Sequence, residues 1–401
     1  MKKADGTRAT TPEENATVFA EHFEQLYGHE ATYDPSIIDL LQQRPVMPDL
    51  DHVPTDNEIR NAVRRLNNSA PGDSGVVAPL FKALISTDGG FRLVREMVYH
   101  FWQTGKMQPE WETGLLAILA KKGDLSLPGN YRGIMMLEVA YKIVSILLDE
   151  RLEPICESLD HEAQCGFRRE RGTSDALFTV RQLIAKRREH GLETWLLLID
   201  LVKAFDRVPR DLLWQVLRKY GVPPLIIALI VALHEHVIVK FEVDGVVKSL
   251  LSIIGVKQGD LGAPKLFTFF IAAVMDTWRS VHSYELCIFR TRDDFKMTGR
   301  PPLAYGDEFA ITDSEYADDT ALPFPSRDVL EEQTPNVITH FGRWGLEVHS
   351  GIKAPDDSVL KESKSEILFC AARPHCYTDP STFDGADLSD VLLPGRRFMA
   401  I

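Results

Sequence analysis

Apolar residues return at helical spacing near the start of the chain, at Val18, Phe19, Phe23, Leu26 and Tyr27, which predicts a short amphipathic helix over 16–27. A Pro-containing stretch follows. Thr55 and the acids after it offer N-caps for a helix carrying Ile59, Ala62, Val63 and Leu66 on one face, and the run 67–75 is turn-forming. Further helices are predicted over 79–86, 90–104, 139–156, 173–190, 210–220, 224–234, 264–279 and 329–345. From residue 115 short strand-like pieces intervene. The run 195–199 is continuous, apolar and short, as a strand buried on both faces should be. Two β-branched runs, 237–243 and 246–250, flank Asp244-Gly245 and predict a hairpin. A segment broken by Pro and Gly, 284–313, precedes a further strand-like stretch at 314–322, and the chain closes in a loose acidic tail.

Composition narrows the class without fixing the chemistry. With 401 residues, 44% hydrophobic and 26% charged, the chain can bury a large core, and neither a disulfide miniprotein nor a disordered tail fits. Five cysteines without a Cys-x-x-Cys pair predict reduced thiols inside a cell; the stretch from Cys370 to Cys376, with His375, has a spacing unlike a usual zinc arrangement. No apolar run follows the charged N-terminus, so no signal peptide is expected. The longest apolar stretches, 223–233 and 266–275, fall short of a membrane span, and a soluble, intracellular protein with no membrane partner is the expectation.

Two places put carboxylates where a metal could use them. Asp200 ends the buried strand, and Asp318 and Asp319 stand side by side between apolar flanks that predict a tight hairpin with the acids at its tip. Adjacent carboxylates are costly to bury unless a cation neutralises them, and hard divalent cations take oxygen ligands. A bare Asp-Asp pair is more often a solvated turn, so the context decides.

That context is a series of boxes in order: "APGDSG" at 70–75, "KKGDLSLPGNYRGI" at 121–134, "QCGFRRERGTSDA" at 164–176, "LIDLVKAFDRV" at 198–208, "GVKQGD" at 255–260, "YADD" at 316–319, then "GLEVHSGIK" and "SKSEILF" at 363–369. Over about 55–370 they resemble the reverse transcriptase domain of non-LTR (long interspersed element type) retrotransposons. Each box alone is weak; their order is strong. Two differ from the family pattern: "NYRGI" stands for the more common "NYRPI", and Ala263-Pro264 for the usual Ser-Pro.

The resemblance implies an α+β right-hand polymerase: fingers and palm, the palm a small antiparallel sheet backed by helices, the thumb missing. Its expected divisions are an acidic N-terminal preamble over 1–54, fingers with the start of the palm over 55–195, palm over 196–370 and a loose tail over 371–401. It implies an RNA-directed DNA polymerase with two Mg²⁺ ions (Mn²⁺ as substitute), an RNA template, a DNA primer and deoxynucleoside triphosphates, working in the nucleus. Residue by residue, Asp200, Asp318 and Asp319 would be catalytic metal ligands, with the Leu201 carbonyl an added ligand. Phe205 would stack under the incoming sugar and exclude a 2′-hydroxyl. Gln258 and Gly259 would touch nucleotide and template, Arg132 with Lys121 or Lys122 would hold the triphosphate, and Lys364 would protonate the leaving pyrophosphate. The alternative is a truncated, non-catalytic nucleic-acid-binding relic of such an element.

Other features have plainer readings. "GDSG" at 72–75 lacks the companions of a serine protease and reads as a loop, and His234 and His236 read as packing or solvent-facing residues. The net charge of −13 argues by itself against a polyphosphate partner, but the acid is uneven: Lys and Arg number 12 against 11 Asp and Glu over 121–190, and 11 against 20 over 291–401. Weak, salt-sensitive template binding is what such a balance predicts.

Overall fold

The computed structural model describes residues 1–159, 162–290, 307–353, 359–361 and 363–372. Its elements in chain order are α1 (Pro12–Tyr27), α2 (Asp56–Arg65), α3 (Ala78–Leu84), α4 (Asp88–Thr104), β1 (Thr113–Ala120), β2 (Tyr131–Met136), α5 (Val139–Ser158), α6 (Thr173–Glu189), β3 (Thr194–Ile199), α7 (Arg210–Lys219), α8 (Pro224–His234), β4 (Val237–Val243), β5 (Val246–Ser252) and α9 (Ala263–Val281). Then follow β6 (Cys287–Arg290), β7 (Glu308–Ile311), β8 (Ser314–Tyr316), β9 (Asp319–Phe324), α10 (Arg327–Arg343), β10 (Ile352–Lys353), β11 (Val359–Lys361) and β12 (Glu366–Cys370). They form two compact units, each drawn from two stretches of chain: Met1–Asp160 with Phe205–Phe270, and His161–Ala204 with Ile271–Ile401. The class is mixed helix and sheet, with small sheets. His375, Cys376 and most of the expected tail lie outside the described residues.

The first unit holds a four-stranded sheet in the order β2-β1-β4-β5. β1 and β2 pair antiparallel, and so do β4 and β5, whose last pair, Val243 opposite Val246, leaves Asp244 and Gly245 as a two-residue turn with φ of 52° and 83°. Positive φ at both central residues is what a turn matching the strand twist requires. β1 and β4 run parallel, Thr113 opposite Ile238, so this sheet is mixed rather than wholly antiparallel.

The stretch expected as a preamble contributes to this unit's core. A capping box between Thr11 and Glu14 starts α1. Its Phe23, 1% exposed, sits edge-on to Phe241 of β4, and the Tyr27 carbonyl accepts the Ile253 N–H at 2.9 Å. The "GDSG" loop is structural, as the sequence suggests: the Ser74 hydroxyl and N–H both donate to the Glu138 carboxylate, at 2.5 and 2.8 Å.

The second unit holds a sheet in the order β12-β3-β9-β8, every pair antiparallel. β3 has a strand on each side, and Trp195, Leu196, Leu197 and Ile199 are buried, which explains its unbroken apolar run. α10 packs against β3 and β9 with Leu330, Val337 and Phe341 buried. Among the described residues no helix is long and apolar enough to cross a membrane.

Candidate active site

β3 stops being apolar at Asp200, and its neighbours hold the main chain there. The Asp200 N–H donates to the Ser365 hydroxyl at 3.1 Å, and its carbonyl accepts the His349 N–H at 2.8 Å. Leu201 forms an isolated bridge with Val348, and the Val202 N–H donates to the Glu347 carbonyl at 2.8 Å. Lys364 is exposed, one residue before Ser365, and its N–H bonds the His349 carbonyl and Nδ1, both at 3.2 Å.

β8 and β9 make the hairpin expected around "YADD". Tyr316 pairs with Asp319, leaving Ala317 and Asp318 as the turn, and Ala317 has a φ of 58°. Ile199 of β3 pairs with Thr320 of β9, so one further step of the same register sets Asp200 beside Asp319. Asp319 shows the electrostatic consequence. Partial burial raises its pKa first, and the charges of Asp318 and Asp200 raise it further. Asp319 is therefore within electrostatic reach of both other aspartates.

The donor set is all carboxylate oxygen, which suits a hard divalent cation, and the mutual repulsion felt by Asp319 is what such a cation would relieve. Among the described residues, no three His, Cys, Asp or Glu side chains stand in a ready metal-holding array. The register sets the three aspartates on neighbouring strand ends, but their carboxylates are not gathered around a common point.

Two buried carboxylates at the start of the hairpin, Asp313 and Glu315, share one half-buried arginine. Arg279 bonds Asp313 at 2.5 Å and stands 3.5 Å from Glu315. Burial, and then the Asp313 charge, push the Glu315 carboxyl well above its usual range; Asp313, against the effect of burial, is held low by Glu315 and Arg279. The two carboxyls are tied through Arg279 and titrate together as one unit.

The remaining candidates lie in the first unit. Lys121 and Lys122 are exposed just beyond β1, and Arg132 is exposed on β2 opposite Leu119. The Met135 N–H of β2 donates to the Gln258 carbonyl at 2.8 Å, and the Val256 N–H donates to the Phe205 carbonyl at 2.9 Å. These two bonds bring Arg132's strand, the Gln258-Gly259 loop and Phe205 together. Phe205 stacks on the fully buried Phe267, ring centres 4.4 Å apart and planes 16° apart, while remaining partly exposed. Gly259 has a φ of 112°, and a Cβ there would run into the Met135 carbonyl. Only glycine accepts both conditions.

Several supporting residues carry no sequence expectation. Asp260 accepts from the Tyr141 hydroxyl at 2.9 Å and the Ser145 hydroxyl at 2.5 Å, while Lys257 donates to the Leu233 carbonyl at 2.5 Å and lies 3.3 Å from the Tyr141 oxygen. The signal was a lysine and an aspartate within the otherwise apolar "GVKQGD" neighbourhood. His234 is buried, its Nδ1 bonded to the Ile230 carbonyl, and burial keeps it neutral; His236 is exposed.

Comparisons with known proteins bear on the family. Residues 119–351 match the family described as reverse transcriptase (RNA-dependent DNA polymerase). The chain is similar to the transposon TX1 uncharacterized 149 kDa protein of Xenopus laevis, 25% identical over 79% of this chain and 23% of that one. It is also similar to the RNA-directed DNA polymerase from mobile element jockey of Drosophila melanogaster, 23% identical over 82% of this chain and 34% of that one. A third relative is the Pol polyprotein from the type-1 retrotransposable element R2 of Popillia japonica, 29% identical over 41% of this chain and 22% of that one. The aligned stretches thus cover between 22% and 34% of these relatives.

Proposed function

The chain belongs to the reverse transcriptase family, in the form carried by non-LTR retrotransposons, and on that premise we propose that it is the polymerase core that copies an RNA template into DNA from a primer 3′-hydroxyl. The observation that carries this reading is the placement of Asp200 at the end of β3 beside the β8–β9 turn that bears Asp318 and Asp319, near enough for both other charges to act on Asp319. Asp200, Asp318, Asp319 and the Leu201 carbonyl would hold two Mg²⁺ or Mn²⁺ ions, which supply the charge that activates the attacking hydroxyl and steadies the leaving oxygen.

The rest of the work falls to side chains of this protein. Arg132 would take triphosphate oxygens bidentately, with Lys121 or Lys122 as a mobile point charge beside it. Gln258 and the bare backbone of Gly259 would lie against nucleotide and template, and Phe205, stacked on Phe267, would lie under the sugar. Lys364 would give a proton to the departing pyrophosphate. In this reading the β1–β2 hairpin belongs to the fingers, the β12-β3-β9-β8 sheet is the palm, and the protein works in the nucleus.

The test is primer extension with an RNA template, a DNA primer, deoxynucleotides and Mg²⁺. The protein should extend the primer, and Asp318→Asn should lower the rate by about a thousandfold or more, the scale expected when a metal ligand of a phosphoryl-transfer centre is lost. Equal extension by parent and variant would overturn the assignment. Template binding with no extension by the parent would favour the non-catalytic relic.

A further inference from the structure

Ala317 is the residue immediately before the two adjacent aspartates, and it has the left-handed backbone that side chains with a Cβ disfavour. Hairpins normally place glycine, asparagine or aspartate at such a position. Something must hold alanine there, and a buried side chain bonds it on both sides. Gln164, 1% exposed, accepts the Ala317 N–H at its Oε1 (2.9 Å) and donates from Nε2 to the Ala317 carbonyl (3.2 Å). Its amide therefore grips both polar groups of the strained residue. Its other capacity is spent on the same neighbourhood: Oε1 also takes the Gly166 N–H at 2.6 Å, and Nε2 also reaches Glu315 at 3.1 Å.

The backbone around Gln164 adds to the grip. The Cys165 N–H donates to the Glu315 carbonyl at 2.9 Å, the Glu315 N–H to the Ala163 carbonyl at 2.8 Å, and Gln164 bridges Glu315 in parallel along the free edge of β8. Gly166 leaves no room for a Cβ against the Ala317 backbone, so the approach is as close as a chain can make it.

We propose that Gln164 is a positioning residue: it locks Ala317 in the left-handed conformation and so sets the direction in which Asp318 and Asp319 leave the hairpin. The role of those aspartates rests on the polymerase reading above; the lock does not. If Gln164 works by holding a strained alanine, glycine at 317 should make it partly dispensable.

The experiment compares the parent, Gln164→Met, Ala317→Gly and the double variant, each first shown to be folded by its thermal transition. Hydrogen exchange of a peptide covering 314–320 reports the lock directly, and Mn²⁺ titration followed by electron paramagnetic resonance reports the carboxylates. Gln164→Met should speed exchange in that peptide and weaken Mn²⁺ binding by about tenfold, with Ala317→Gly alone changing it by no more than about twofold and the double variant recovering part of the loss. Unchanged exchange in Gln164→Met, or a folded double variant with no recovery, would overturn the proposal. A parent that binds no Mn²⁺ but shows faster exchange on Gln164→Met would sink the metal reading and support the lock. Should Gln164→Met not fold, Gln164→Glu, which keeps the acceptor for Ala317 and Gly166 but loses the donor to the Ala317 carbonyl, serves instead, and exchange there no faster than the parent's would equally overturn it.

Discussion

Replacing Lys257 with methionine keeps the length of the side chain and removes a charge from a site that is 3% exposed. Burial depresses this lysine most, Asp260 opposes that effect and Arg210 reinforces it, and the result is a group pushed down from 10.5 to about 7. In the unfolded chain the same amine keeps its proton up to its ordinary value. Between about pH 7 and 10.5 the unfolded state therefore binds more protons, so stability rises with pH across that window and is flat on either side. From pH 7 to pH 9 the gain is about 2 kcal/mol, taking about 1.4 kcal/mol per unit and a group half-titrated at the lower pH. The assay is urea unfolding of parent and Lys257→Met at both pH values, followed by hydrogen exchange in peptides of the first unit. Other titrating groups cancel in the difference, so the parent should gain about 2 kcal/mol relative to the variant on going to pH 9. Parallel pH dependence of the two proteins would refute the reasoning.

Two further outcomes follow from the first unit. Phe205→Val removes the ring that rests on Phe267, and the ratio of ribonucleotide to deoxynucleotide incorporation in primer extension should rise by about tenfold or more; an unchanged ratio would leave Phe205 as packing. Gly259→Ala must fit a Cβ against the Met135 carbonyl at a φ of 112°, which should cost about 1–3 kcal/mol in urea unfolding and raise the nucleotide KM; a variant as stable as the parent would mean the loop relaxes freely.

Local chemistry made much of this molecule legible in the sequence. Asp244-Gly245 announces the β4–β5 turn, because its two residues tolerate the backbone that the strand twist demands, and the run 195–199 announces a strand with neighbours on both sides. Asp200, Asp318 and Asp319 were legible as acids at strand and turn positions. What stayed hidden depends on partners far along the chain. Nothing in "QCGF" tells that Gln164 grips a residue 153 positions later, and nothing in 113–115 tells that β1 will take a parallel partner from 238–240. The helix at 16–27 was legible as a helix, while its burial depended on Phe241, supplied more than 200 residues on.

The order in which strands leave the ribosome has a consequence of its own. β3, the strand that ends at Asp200, finds its two neighbours only in 319–324 and 366–370. At about 5–20 residues per second, the first of these emerges roughly 6–25 s after β3 is made, and until then an apolar strand stands with both edges open. A chain broken off anywhere between 200 and 319 would carry that strand permanently unpaired, a template for aggregation rather than a smaller working enzyme. Shortened copies of this sequence should therefore be found in inclusion bodies or cleared by proteases, unless their break falls beyond 370.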